Sequence, residues 1–218
     1  MDNKKKGIFI AAIMVISVFA FAVTSVSAHP ANWGFETGDL TGWTVYVPPG
    51  GSAQVVTSHA GSSTIYNPVE GNYFAELKTN GPGTYTTLTQ DFYIAAGVTI
   101  QGWAAFDARD YLPFNDNAAV RIRDSSNNVV ATPWYSDVSI DGDYGDGPWT
   151  YWEWTAPVSD TYTLELRISN AQDSIEDSYA LFDGIIAPAP VPTLTPIGII
   201  AMVGLLSIVA AMSIRKRR

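Results

Sequence analysis

Six side chains in the middle of this chain are of types that pair well with a sugar: Trp103, Tyr151, Asp107, Glu153, Arg121 and Arg123. Each stands on the polar side of an alternating segment, where successive residues face opposite ways. Val120 and Ile122 point one way and Arg121 and Arg123 the other. Val98, Ile100, Ala104 and Phe106 oppose Thr99, Gln101, Trp103 and Asp107, and Trp152 and Trp154 oppose Tyr151 and Glu153. A pyranose offers an apolar C–H face that stacks on an aromatic ring, and hydroxyls that bond to charged side chains. If these segments share a sheet, the six residues lie together on one outer face. The same residues also describe a solvated sheet face with cross-strand ion pairs and an incidental Trp.

Other chemistry is sparsely supported. His29 and His59 are the only histidines, which argues against a histidine-rich zinc site and a Ser-His-Asp triad. No phosphate loop, nucleophile elbow or His-Glu-x-x-His occurs. The run Asp141-Gly-Asp143-Tyr-Gly-Asp146-Gly147 resembles a calcium loop, but Gly145 and Trp152 stand where an EF-hand needs oxygen ligands, so it reads as an acidic surface loop. Asp107, Asp110 and Asp116 line a second acidic loop. With twenty carboxylates beyond residue 28, the closeness of any two is no sign of a glycosidase pair.

The elements that carry these residues are short and alternating, separated by Gly, Pro, Asn and Asp. The pattern predicts strands over Gly42–Val47, Ala53–Ser58, Asn72–Lys78, Thr84–Ile94 and Val98–Asp107. A hairpin follows, Ala118–Arg123 and Val129–Trp134 around Asp124–Asn128, and then strands over Trp149–Thr155, Thr161–Ile168 and Tyr179–Ile186. No stretch of ten or more residues here has a helical period. The expectation is an all-β, two-sheet antiparallel β-sandwich with one core.

The two ends read differently. Lys4–Lys6, an apolar run over Gly7–Val23 and Val26-Ser27-Ala28 have the order of a secretory signal peptide over residues 1–28. A proline-rich linker spans residues 187–196. Ile197–Ile214 carries no charge and reads as a transmembrane helix, about 27 Å long at roughly 1.5 Å per residue. Arg215–Arg218 is a basic cytoplasmic stop. These ends place residues 29–186 on the extracellular side of a membrane, at the cell surface. That exported part has five basic residues (Lys78, Arg109, Arg121, Arg123 and Arg167) against twenty acidic ones, a net charge of −15. Such a surface repels nucleic acid. There is no cysteine and no Asn-x-Ser/Thr acceptor, and all seven tryptophans lie in this part.

Four landmarks in order carry a family resemblance. Asn32-Trp-Gly-Phe-Glu36 with Gly42-Trp43, Gly71-Asn-Tyr-Phe-Ala75, Trp149–Pro157 and Tyr179-Ala-Leu-Phe-Asp183-Gly-Ile resemble carbohydrate-binding, galactose-binding-like jelly-roll modules. The resemblance implies an antiparallel jelly roll and a structural Ca²⁺ with Glu36 and Asp183 as side-chain ligands. Gly184 stands where a second Asp is common in that family. Pro192-Thr-Leu-Thr-Pro196, the apolar helix and the terminal arginines resemble a PEP/PEF-type C-terminal sorting signal, which implies an exosortase- or archaeosortase-like transpeptidase as a partner. The expectation is a non-catalytic surface domain that binds carbohydrate or a cell-envelope glycan. The alternatives are a structural envelope or S-layer-associated protein without a small ligand, and a glycan-active enzyme.

Overall fold

Alternation in the sequence becomes two layers in the structure. A computed structural model of the protein describes residues 31–79 and 81–186. The signal peptide, linker, membrane helix and basic stop expected at the two ends lie outside the described residues.

Twelve strands run in chain order: β1 (Thr44–Tyr46), β2 (Ser52–Val56), β3 (His59–Ala60), β4 (Ile65–Tyr66), β5 (Phe74–Lys78), β6 (Thr86–Ile94), β7 (Thr99–Asp107), β8 (Asn117–Arg123), β9 (Val129–Asp137), β10 (Thr150–Thr155), β11 (Asp160–Ser169) and β12 (Tyr179–Ile186). A single helical turn, α1 (Val138–Asp141), follows β9, with Asp137 accepting from the Ile140 N–H at its start. The first sheet has the order β1-β6-β11-β8-β9 and the second β10-β7-β12-β5-β2. Every pairing between strands is antiparallel, so the described chain is an all-β sandwich. All ten segments expected from the sequence are strands. The β3–β4 hairpin and α1 are additional, and each is too short to show a period.

The inner faces follow the alternation. Leu164, Leu166 and Ile168 of β11, Val120 and Ile122 of β8, and Leu88 of β6 are fully buried. They are part of one cluster with Ile100, Ala104 and Phe106 of β7, Ala180 and Phe182 of β12 and Leu77 of β5. Each large aliphatic or Phe side chain so buried contributes about 1.5–3 kcal/mol.

The Asn32–Trp43 segment joins the same core. Phe35 stacks on Trp43 with ring centres 5.3 Å apart, and Trp33 meets Phe92 edge-on at 5.1 Å. Asn32 sits at φ 58°, a left-handed conformation that Asn tolerates. Its Nδ2 donates to the Asp39 and Thr41 carbonyls at 2.8 and 3.1 Å, and its own carbonyl accepts from Trp43 Nε1 at 3.0 Å. The Asn and Trp of the motif therefore tie the turn to itself. The β8–β9 turn is built similarly, with Asp124 Oδ1 accepting from the Ser126 and Asn128 N–H groups at 2.9 and 2.8 Å.

A second, smaller cluster of Tyr66, Phe74, Ala105 and Leu181 lies outside the main core, with Trp149 and Tyr179 packed against it. Phe74, Ala105 and Leu181 have the outward parity of the second sheet, and the β3–β4 hairpin supplies Tyr66. This part of the outer face is therefore covered.

Truncation in the main core has a definite expected cost. Leu166→Ala and Phe182→Ala should each lower unfolding stability by about 2–5 kcal/mol, read as a shift of the denaturant midpoint. A surface change such as Ser125→Ala should shift it by less than about 0.5 kcal/mol.

Candidate functional site

Register brings three arginines together on the outer face of the first sheet. Arg121 of β8 pairs with Glu165 of β11, Arg123 with Thr163, and Ala119 with Arg167. Following one row across the sheet gives Tyr46, Thr87, Arg167, Ala119 and Tyr135. Tyr46 and Tyr135 are exposed, at 60% and 45%, while Arg167 between them is only 5% exposed. Small and hydroxylic residues thus separate two rings, with guanidinium groups in the middle.

Only one of these arginines is neutralised within the sheet. Arg123 donates from Nη2 and Nε to Glu165 Oε2 at 2.9 and 3.2 Å and caps the Asn127 carbonyl at 3.2 Å. Arg167 instead lies over the Tyr85 ring, 3.2 Å from its centre. Nε of Arg121 and Nε of Arg167 are both shielded from solvent without a hydrogen-bond partner. Burial, and next the charge of Arg121, pull the Arg167 pKa down from its ordinary value. Burial, and next the hydrogen bond to Asp137, push the Tyr135 hydroxyl up to about 12.

Trp103, Tyr151 and Glu153 occupy the other sheet. Tyr151 of β10 pairs with Trp103 of β7, their rings meeting edge-on at 5.4 Å. Tyr151 Oη lies 3.0 Å from Gln101 Oε1 and 3.1 Å from Glu153 Oε2, which ties the ring to its neighbours on the sheet surface. Behind Trp103, β12 bulges between Asp183 and Ile186. Gly184 takes φ 56° there, and a Cβ on it would meet Trp103 Cδ1 at 3.1 Å. An Asp at this position would be strained and would displace the indole, which gives a physical reason for the glycine.

The six residues expected on one face are therefore divided. Arg121 and Arg123 lie on the first sheet, and Trp103, Tyr151 and Glu153 on the second. Asp107 has the outward parity expected of it but is fully buried. Strand alternation gives a residue's face within its own sheet. Membership of a sheet is set by non-local pairing, which alternation does not encode.

Asp107 belongs to a network that sequence reasoning missed. His59 of β3 bridges Glu76 and Asp107, with Nδ1 to Glu76 Oε2 at 2.6 Å and Nε2 to Asp107 Oδ2 at 2.8 Å. Arg109 Nε reaches the same Asp107 oxygen at 2.6 Å and its Nη2 donates to the Ala60 carbonyl. Gln54 Nε2 donates to the remaining Glu76 oxygen at 2.7 Å. Burial pulls the His59 pKa down, but the bonds to Asp107 and Glu76 and their charges outweigh it and raise it to about 9. The imidazolium fastens the β3–β4 hairpin to the second sheet. Asp146, in the loop read as acidic surface, accepts from the Ser62 N–H at 2.8 Å and the Ser63 N–H at 2.5 Å and anchors the hairpin turn.

Glu36 and Asp183 converge on one segment. Asp183 Oδ2 accepts from the Val69 and Glu70 N–H groups at 2.5 and 3.0 Å. Glu36 Oε1 accepts from the N–H groups of Asn72 and Tyr73 at 3.1 and 3.2 Å. Gly71 lies between them at φ 64°, and a Cβ there would run into the Glu36 carboxylate. Burial raises the Asp183 pKa and Glu36's charge adds to it, against backbone N–H bonds that lower it. Two carboxylates that meet the same loop, one of them fully buried, suit a dication in charge; in the geometry described their oxygens are bonded to N–H groups. Among the described residues no group of three or more His, Cys, Asp or Glu is placed to hold a metal.

No family model matches the chain, and no curated protein matches it. Similar solved structures include carbohydrate-binding modules. One, TmCBM61 in complex with beta-1,4-galactotriose, is 16% identical, with 72% of this chain and 94% of that one covered and a TM-score of 0.45. A family 16 carbohydrate-binding module is 17% identical over 73% of this chain and 99% of that one, at a TM-score of 0.40. A cleaved adhesin domain of Lys-gingipain from Porphyromonas gingivalis is 16% identical over 73% and 97%, at 0.47. At these scores the likenesses carry no argument about what this chain binds.

The His59 network gives a pH dependence of defined sign. A histidine at about 9 in the folded protein and about 6.5 unfolded binds an extra proton when folded. Its contribution is complete below pH 6.5 and lost as pH rises through about 9. The difference in denaturant midpoint between the protein and its His59→Gln variant should therefore shrink steadily over pH 6.5–9.5. A constant difference would show that His59 is not charged in the fold.

Proposed function

We propose that residues 29–186 form a non-catalytic, carbohydrate-binding jelly-roll domain, exported and held at the outer side of a membrane by the C-terminal helix. The observation that carries the glycan-binding reading is the row Tyr46–Thr87–Arg167–Ala119–Tyr135 across the first sheet. Exposed tyrosines stand at its two ends, four strand spacings or about 19 Å apart, and in this reading stack on separate sugars of one chain. Thr87, Thr89 and the arginines offer donors to the hydroxyls between. The strand orders of the two sheets accord with a jelly roll. The order of the four sequence landmarks supports the same reading.

A second placement of the ligand is favoured by the Trp103–Tyr151 pair, whose Tyr151 is 41% exposed. A glycan array separates the two. Tyr135→Ala should lower retention of the bound glycan by about two- to tenfold, the effect of losing one stacking ring, while Trp103→Ala and Tyr151→Ala leave it unchanged. The reverse result moves the ligand to the second sheet. A folded protein that ignores every glycan leaves the structural-envelope reading, and hydrolysis of any glycan, lost on one carboxylate substitution, would make the domain an enzyme.

The proposal extends to Ca²⁺ held by Glu36 and Asp183, which would supply positive charge where two carboxylates converge and draw the Val69–Tyr73 segment onto β12. Ca²⁺ should then raise Tm relative to a chelator, and Asp183→Asn should abolish the difference. An equal Tm with and without the ion would remove the metal from the account.

A further inference from the structure

We infer that the face around Arg121 and Arg167 takes the anionic group of an acidic glycan, a uronate carboxylate or a sulfate ester, in preference to a neutral chain. This rests on the glycan-binding reading and on the first-sheet placement above.

Charge allocation singles out this face. Beyond residue 28 the chain has five basic residues and twenty acidic ones, so partners are in excess. Lys78 is paired with Asp177, Arg109 with Asp107 and Arg123 with Glu165. Among the described residues, Arg121 and Arg167 make no ion pair and no side-chain hydrogen bond. They are diagonal neighbours on adjacent strands, Arg121 facing Glu165 and Arg167 facing Ala119 two residues along, which sets two positive charges near each other.

The acids of that face are already engaged elsewhere. Glu165 is held by Arg123, as above. Asp137 accepts from Tyr135 Oη at 2.7 Å, Ser139 Oγ at 2.6 Å and the Ile140 N–H at 3.1 Å. Asp91 accepts from Thr163 Oγ1 at 2.6 Å. None of them is hydrogen-bonded or ion-paired to Arg121 or Arg167, although Glu165 stands opposite Arg121 and its charge favours the Arg167 cation.

The surroundings complete a built site. Arg167 is more than nine-tenths buried, and its Nε–H lacks an acceptor. Tyr85 packs against its guanidinium and so restricts the rotamers open to it. A guanidinium fixed in this way presents a planar fork of donors that matches a carboxylate or sulfate. Elsewhere the acidic surface repels a polyanion, so recognition falls to this patch. Screening by salt is weak for groups so shielded.

The full chain, solubilised in mild detergent, is run in affinity gels containing polygalacturonate, carboxyl-reduced polygalacturonate, a sulfated galactan or an unsulfated galactan. Retention on either charged polymer, at least about tenfold stronger than on its uncharged counterpart, is the expected result, since one charge-assisted bond is worth about that factor. Which charged polymer retains the protein distinguishes carboxylate from sulfate. Arg121→Gln and Arg167→Gln should each remove at least about tenfold of that affinity. Arg167→Lys keeps the charge but loses the fork, and should fall between; it also serves if the Gln variant does not fold. Equal retention on charged and uncharged polymers overturns the inference and leaves the glycan-binding reading standing. Charge-selective retention indifferent to both arginines places the anion elsewhere and overturns it too. Failure to bind any polymer overturns both.

Discussion

The register of β11 is the constraint on which the first sheet and its outer face depend. This strand lies between β6 and β8, and its parity sets Leu164, Leu166 and Ile168 inward and Glu165 and Arg167 outward. A slip of one residue would invert the assignment. Three aliphatic side chains would leave the core, at about 1.5–3 kcal/mol each, and a carboxylate and a guanidinium would enter it, at several kcal/mol per ion. No neighbouring register competes with that difference. The surface that faces solvent is thus specified by the apolar residues behind it, and the position of Arg167 beside Arg121 follows from the same pairing.

Much of this was legible in the sequence. The ten longer strands, the inward and outward sets of β7, β8, β10 and β11, and the Asp124–Asn128 turn all follow from two-residue alternation and turn chemistry. The burial of Trp152 and the outward position of Tyr151 follow from it as well. What was not legible has one physical origin. Trp103 and Arg121 are both outward residues, but β7 joins β12 and β10 whereas β8 joins β11 and β9. Those pairings are made between strands distant in sequence and leave no local trace. Tyr46 and Tyr135 were missed for the same reason, because each becomes part of a surface only when the row across the sheet is known.

Asp107 illustrates a second limit. Its parity is that of a surface residue, and in an open sheet it would be one. The β3–β4 hairpin covers it, and two-residue strands have no periodicity from which the cover could have been foreseen. The only trace was His59 itself, a lone histidine in an acidic domain. Its ring sits between Glu76 and Asp107 and tilts against Tyr179 at 4.7 Å. Once the cover is in place the carboxylates beneath it cannot remain unpaired, because removing either cationic neighbour would strand a buried charge.

The two sheets thus use their few cations in opposite ways. On the second sheet His59 and Arg109 are consumed in holding the hairpin, although Asp107 Oδ1 there is buried without a partner. On the first sheet Arg123 serves the same internal purpose with Glu165, but its two neighbours are left with shielded, unbonded nitrogens. A buried donor without an acceptor costs about 1–3 kcal/mol, and a domain with four acidic residues for every basic one had ready means of avoiding that cost. Local rules of satisfaction are broken at functional sites, and in this fold also at the indole nitrogens of Trp33 and Trp152. Tyr85 offsets part of that cost for Arg167 through its ring, and the β11 register fixes the backbone that carries it. An anion in this patch would offset two like charges that the fold leaves unpaired, at guanidinium groups already held in place.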